Sequence, residues 1–339
     1  MKTNEGVFIV AELSANHGHK LDTALRTIRA AKEAGADAIK IQTYTPDTIT
    51  IDCDNEYFRI NQGTVWDGKT LYELYKEAYT PWEWHENMKQ AAEEIGLVFF
   101  STPFDQSAVD FLENLHVPLY KIASFEITDI PLIKRVAQTG KPILLSTGIA
   151  TMADIEEAVS AIRENGVNDI TLLQCTSSYP APVEEANLRS MVNKAETFGT
   201  KTGLSDHTMS WGVSAAAAAL GASVIEKHFI LERSLGGPDS SFSMEPAEFR
   251  IMVDTIRDIE KALGRVTYGL TENGKKSRTF SRSLFIVSDM EKGDTFSEKN
   301  LRSIRPGYGL APKHLPEIIG RRARKKLTRG TPMRWEYIR

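Results

Sequence analysis

Two lysines, two histidines, a glutamate and a set of hydroxyl side chains stand where short apolar runs of this chain stop: Glu12, Lys40 with Gln42, Thr102, Lys121 with Ser124, Ser146, Thr176 with Ser177, Ser205 with His207, and Glu226 with His228. Lysine ammonium groups supply positive charge and hydroxyls supply short donors, so this set suits a phosphate or a carboxylate and predicts an anionic substrate. Asp206 adjoins His207, and Glu226 lies two positions before His228. Two imidazoles at neighbouring strand ends fit one divalent cation with positions left open for substrate and water. A cation held that way polarises a carbonyl oxygen.

The elements that would carry these residues alternate in type. Strands are predicted near 7–13, 37–43, 97–102, 118–124, 141–147, 169–176, 200–206 and 223–229, with amphipathic helical stretches between them and a last helix near 246–263. Eight βα units predict an α/β protein with a closed parallel (β/α)8 TIM barrel, which places chemistry at the C-terminal ends of its strands. Parity supports the placement. Ile39 and Ile41 share one face of the second strand and suit helix packing, which turns Lys40 and Gln42 inward; Val10 and Glu12 share a face, as do Glu226 and His228. No GxGxxG follows the first strand, against a dinucleotide-binding fold. The segment from Tyr44 to Pro81, with its WDGKTLYELYKEA run, is long for a loop and predicts a partly helical excursion over the barrel mouth, or a surface for oligomer contacts.

With 339 residues, 41% apolar and 25% charged, the chain exceeds one typical domain and has an ordinary globular composition. No apolar run approaches a membrane span, and the N-terminus runs straight into a strand, so a cytoplasmic protein without membrane contact is expected. Cys53 and Cys175 form no CxxC pair and read as reduced, incidental thiols. Net charge is −12 over residues 1–280 and +8 over 281–339. The basic run RRARKKLTRG at 321–330 lacks interleaved aromatics, which favours a solvated or interdomain face over nucleic-acid binding. The expected organisation is a catalytic barrel over 1–264, a polar linker at 265–281 and a small β-rich module at 282–339.

The motifs AELSANHGH (11–19), KIQTYTPDT (40–48), STPFD (101–105), YKIASFE (120–126), STGIAT (146–151), CTSSYPAP (175–182), GLSDHT (203–208), EKHF (226–229) and GGPDSSFSM (236–244) together resemble the sialic acid synthase family over nearly the whole chain. Those enzymes condense phosphoenolpyruvate with an amino sugar to make nine-carbon keto acids. The tail motif IRPGYGL (304–310) resembles the family's antifreeze-like module, a β-clip SAF domain. The resemblance implies that Lys40, Thr102, Lys121, Ser124, Ser146 and Ser205 hold phosphoenolpyruvate. It assigns a manganese-like ion, with magnesium or cobalt as alternatives, to His207 and His228. Glu12 is implied as the acid/base carboxylate, and beside lysines and a metal it is expected to stay ionised. Gln42, Ser177, Tyr179 and Asp239 are implied to face the sugar, and Arg305 to complete the partner's site in a domain-swapped homodimer. Ser177 departs from the sialic acid branch, which carries asparagine there. The phrases SANH and TYTPDTIT and the 66–78 insertion resemble instead the branch making pseudaminic acid from 2,4-diacetamido-2,4,6-trideoxy-L-altrose.

Two other classes remain open from the residues themselves. A metal-dependent aldolase or isomerase on the same barrel would use the histidines and a lysine but releases no phosphate. A non-catalytic carbohydrate-binding protein leaves the polar barrel mouth without a purpose.

Overall fold

A computed structural model describes residues 6–339. The alternating runs become eight parallel strands: β1 Phe8–Glu12, β2 Ala38–Thr43, β3 Val98–Pro103, β4 Tyr120–Ile122, β5 Ile143–Ser146, β6 Ile170–Cys175, β7 Lys201–Asp206 and β8 Val224–His228. They pair in sequence order, and β8 pairs with β1 to close the barrel. Outward-facing residues such as Ile9, Ala11, Ile39, Ile41 and Phe99 pack under the surrounding helices in one large apolar core. Several of those helices are started by side chains that accept from otherwise unpaired backbone N–H groups: Asp105 caps Gln106–Asn114, Thr151 caps Met152–Glu164, and Ser210 caps Trp211–Ala219.

Inside the barrel, side chains lie in layers. A dry floor is made by Phe8, Val10, Ala38, Phe100, Leu119, Leu144, Leu173 and Val224. On β7 this level is Gly203, where a Cβ would lie 2.3 Å from the Val224 carbonyl oxygen and 2.8 Å from Leu173 Cδ2. The absence of a side chain there lets bulky neighbours fill the floor without a clash. One step further along the strands the apolar residues give way to Glu12, Lys40, Thr102, Lys121, Ser146, Cys175, Ser205 and Glu226, all buried.

The 44–81 segment carries two short helices, Pro46–Ile49 and Leu71–Ala78, the second started by a reciprocal Thr70–Glu73 capping box. The chain divides into two compact units between Gly264 and Arg265. The stretch read as a polar linker holds a helix, Glu272–Arg278, capped by Thr271, because ENGKKSR supplies helix formers and places its cations in the last turn. In the second unit, β9 Ser283–Ile286 and β10 Leu301–Ile304 pair antiparallel over their own apolar core of Leu284, Ile286, Phe296, Leu301, Leu327 and Met333. The basic run contributes isolated bridges to this unit; Lys326 pairs with Glu291 and Lys325 lies over the Tyr337 ring. Among the described residues, no helix is long and apolar enough to cross a membrane.

Candidate active site

Strand register sets the centre of the site. Glu12 stands level with Lys40 on one side and His228 on the other, and Ser205 stands level with Glu226. Lys40 Nζ lies 2.6 Å from Glu12 Oε2 and 3.7 Å from Glu226 Oε1, and donates to Thr102 Oγ1 at 3.2 Å. Ser205 Oγ donates to Glu226 Oε1 at 3.1 Å, and Lys121 Nζ donates to the Ile122 carbonyl at 3.0 Å. Glu12, Lys40, Lys121 and Glu226 are each less than 5% exposed, so four formal charges share one desolvated space.

That space drives the two carboxylates apart. Burial raises the Glu12 pKa to about 7, reinforced by the charge of Glu226 and opposed by Lys40 and Lys121. Burial also pushes Glu226 up, yet Lys40, Lys121 and the Ser205 hydroxyl outweigh it and hold Glu226 below the ordinary carboxylate range. Glu12 therefore titrates near neutrality, because burial outweighs Lys40 and no hydroxyl donates to it as Ser205 does to Glu226. Lys121 is depressed by burial; Lys40 stays raised because Glu12 and Glu226 overcome burial. Two carboxylates with separated pKa values provide one proton carrier and one permanent anion.

Beside this centre, the His207 and His228 rings lie 5.2 Å apart. His207 Nδ1 donates to the Thr176 carbonyl at 2.9 Å and lies 3.8 Å from Cys175 Sγ. His228 is buried and held neutral, its pKa driven well down by burial and by the positive groups around it. The buried atoms left without a hydrogen-bond partner include Glu12 Oε1, Glu226 Oε2, Ser146 Oγ and His228 Nδ1, all at the mouth. Such orphans in one place mark a site built for a ligand. Two imidazoles, one neutral and unpartnered, fit a share of a cation's shell, although no group of three or more His, Cys, Asp or Glu among the described residues is arranged to hold a metal.

A cavity of about 310 Å³ adjoins the histidines. Its polar wall is Ser14, Gln42, Tyr179 and Asp239; its apolar wall, from the excursion, includes Tyr44, Trp66, Leu74 and Tyr75. Ser14 takes a left-handed φ of 48°, which aims its hydroxyl at Asp239 Oδ2 (2.5 Å) and lets it accept from Gln42 Nε2 (3.0 Å). Trp66 Nε1 donates to the Pro238 carbonyl at 2.9 Å, pinning the excursion to the loop after β8.

The structure corrects three readings. Asp206 turns outward to pair with Lys227 at 2.9 Å and accept from Ser214 at 2.7 Å, so it gives nothing to His207. Thr176 also leaves the mouth and donates to the Glu185 carbonyl, while Cys175 takes the inward position. That thiol is not incidental: burial raises its pKa, but His207 and Ser124 outweigh it and bring it to about 7. Ser124 and Ser177 lie beside it, close around Gly148, where a Cβ would meet Ser177 Oγ at 2.3 Å and Ser124 Oγ at 2.9 Å. Glu126 is a further residue that spacing did not single out; it lines the 310 Å³ cavity, and burial pushes its carboxyl to about 7. Arg305 belongs to the second unit, where it is exposed.

Residues 27–268 match the NeuB family and residues 281–339 the SAF domain. The chain belongs to the NeuB family. It is 48% identical to the pseudaminic acid synthase of Helicobacter pylori over 96% of both chains. It is 37% identical to the N,N'-diacetyllegionaminic acid synthase of Legionella pneumophila, over 98% of this chain and 94% of that one. Among solved structures, the N-acetylneuraminic acid synthetase of Leptospira borgpetersenii in complex with citrate superposes with a TM-score of 0.71 at 33% identity, covering 81% of this chain and 90% of that one.

Replacing Lys40 by Met should expose the cost of this arrangement. The folded pKa of Glu12 lies above its ordinary 4.5, so the folded state binds more protons between those values, and this group favours folding as pH falls through 7. Without Lys40 that dependence steepens. Urea midpoints should show a loss of about 3–5 kcal/mol at pH 8, partly regained at pH 5.5. An equal loss at both pH values contradicts the assignment.

Proposed function

We propose that this chain condenses phosphoenolpyruvate with 2,4-diacetamido-2,4,6-trideoxy-L-altrose and water, giving pseudaminic acid and phosphate, in the cytoplasm. The observation that carries the reading is the meeting of two unlike compartments at one mouth. A buried cradle with two lysines opens beside a cavity with an apolar aromatic wall, in a chain 48% identical to a pseudaminic acid synthase. Lys40, Lys121, Thr102, Ser124, Ser146 and Ser205 bind the phosphate and carboxylate of phosphoenolpyruvate. The cavity takes the sugar, with Gln42, Ser177, Tyr179 and Asp239 against its polar groups. Trp66, Tyr44 and Tyr75 meet its methyl and acetamido groups, whose apolar surface gains from burial there.

Bond making and breaking divide among these residues. C3 of phosphoenolpyruvate forms a bond to the aldehyde carbon of the open-chain sugar, and the aldehyde oxygen gains a proton to become a hydroxyl. Water adds at C2, the C2–O bond to phosphate breaks, and a ketone remains. A divalent cation, manganese first, on His207 and His228 supplies Lewis-acid polarisation of a substrate oxygen when bound. Glu12, in its ionised form, takes the proton of the attacking water; Glu226 stays charged and orients Lys40. The cradle holds both reactants in register, an advantage on the order of 7–11 kcal/mol for well-oriented partners.

Phosphate release, measured with phosphoenolpyruvate, Mn²⁺ and one amino sugar at a time, tests the reading. The altrose derivative should react at least tenfold faster, by kcat/KM, than N-acetylmannosamine or the legionaminic acid precursor. Preference for either of the others overturns the substrate, and no release with any overturns the reaction.

The acid limb of kcat/KM should bend near pH 7, since protonated Glu12 cannot accept a proton. Glu12→Gln should keep phosphoenolpyruvate binding and lose at least 100-fold in kcat, in the range for a general base. Turnover near the wild-type rate in that variant removes Glu12 from its role.

Arg305 acts, in this proposal, in the site of a partner chain within a homodimer. Glu12→Gln and Arg305→Ala proteins should each be inactive. Co-expressed, they should regain activity approaching roughly a quarter of wild type, because half of randomly formed dimers hold one intact site of two. Failure of such mixtures to recover activity contradicts the exchange.

A further inference from the structure

A second cavity, of about 540 Å³, lies outside the barrel behind β5 and β6, against the helices Met152–Glu164 and Leu188–Phe198. Lys194 projects into it from the second helix, donating to Thr147 Oγ1 at 2.5 Å and to Gln174 Oε1 at 2.6 Å. Both partners are neutral, and among the described residues this ammonium forms no ion pair with a carboxylate. Burial lowers its pKa to about 8. A half-buried cation hydrogen-bonded only to two neutral side chains gains from an anion brought in from solution. Around it, Asn187, Ser190 and Asn193 offer amides and a hydroxyl, while Met152, Ile155 and Phe198 give an apolar floor. Glu185 stands at the solvent rim, where its charge is screened by water.

The wall between this cavity and the catalytic mouth is one residue thick. Gly148, Cys175 and Thr176 line the outer cavity. On their other side, the Gly148 N–H donates to Ser124 Oγ at 3.0 Å, Cys175 Sγ lies 3.8 Å from His207, and the Thr176 carbonyl accepts from His207 at 2.9 Å. Any ligand that moves this wall moves His207 and Ser124.

We propose that the outer cavity is a regulatory site for an acidic sugar, whose carboxylate pairs with Lys194 and whose hydroxyl and acetamido groups meet Asn187, Ser190 and Asn193. Resting on the function proposed above, the ligand is the reaction's own keto-acid product, or a relative of it, acting as a feedback inhibitor. Hydroxyls and amides on an acid of this kind match the mixed polar lining better than a bare phosphate does. Because the site is separate from the cradle, the acidic sugar and phosphoenolpyruvate can be bound to one chain at the same time.

Calorimetry on the full chain, held at saturating phosphoenolpyruvate so that the inner cradle is filled, tests this. Pseudaminic acid, N-acetylneuraminic acid, neutral N-acetylmannosamine and inorganic phosphate are titrated separately into wild type and Lys194→Met. At least one acidic sugar should bind once per chain, at least tenfold more weakly to the variant, with the neutral sugar and phosphate binding far less. The variant should keep its affinity for phosphoenolpyruvate, which shows that it is folded. Acidic-sugar binding that ignores the substitution, or no such binding, overturns the site; phosphate binding that depends on Lys194 overturns the ligand class. Phosphate release in the same preparations reports the catalysed reaction independently, so failure of one reading leaves the other measurable.

Discussion

Four ionisable groups buried in one space constrain the rest of this barrel. Glu12, Lys40, Lys121 and Glu226 balance in charge when all four are ionised, and burial resists that state. A proton on Glu12 relieves the conflict and leaves two ammonium groups facing one carboxylate. The net positive charge that results attracts a trianion such as phosphoenolpyruvate. Binding that anion then offsets the positive charge which protonation left. The raised pKa of Glu12 thus belongs to the same physics as the affinity of the cradle.

Holding such charges needs a rigid support, and strand register provides it. Glu12 and Lys40 are level across adjacent strands, so their contact follows from the backbone ladder and needs no long flexible reach. Beneath them the apolar floor excludes water from below, and Gly203 lets Leu173 and Val224 close it. The asymmetry between the two carboxylates also originates in register. Ser205 is level with Glu226 and donates to it, whereas Glu12 faces only Lys40 and the ring of His228.

Much of this was legible from the sequence because a strand repeats every two residues. Parity alone turned Lys40, Gln42, Glu12, Glu226 and His228 inward, and the structure buries Lys40, Glu12, Glu226 and His228 at the mouth. The same rule explains the errors. Asp206 adjoins His207 in the sequence and for that reason points to the opposite side, where Lys227 holds it. In β6 the inward position falls on Cys175, a residue that reads as apolar, while the more conspicuous Thr176 faces away. Lys194 was out of reach for a different reason, and the excursion that carries Trp66 was read without the bond that pins it. A helix lysine and a loop tryptophan acquire meaning only from what tertiary folding sets against them, Thr147 and Gln174 in one case and Pro238 in the other.

The excursion from Tyr44 to Pro81 and the charged mouth divide recognition by physical type. In the proposed function, charge selects phosphoenolpyruvate through strong, direction-tolerant forces, and the rigid barrel supplies that charge with inward lysines. A sugar with several acetamido and deoxy positions presents methyl surface instead, and only shape and apolar contact distinguish it from a hydroxylated relative. A parallel barrel has no spare apolar wall at its mouth, since its strand ends are committed to polar groups. Trp66, Leu74 and Tyr75 therefore come from outside the repeating βα pattern, pinned back to the barrel by the Trp66 bond to Pro238. In the proposed function, sugar preference is accordingly carried by the excursion, so the strand ends could keep one cradle while the sugar changed.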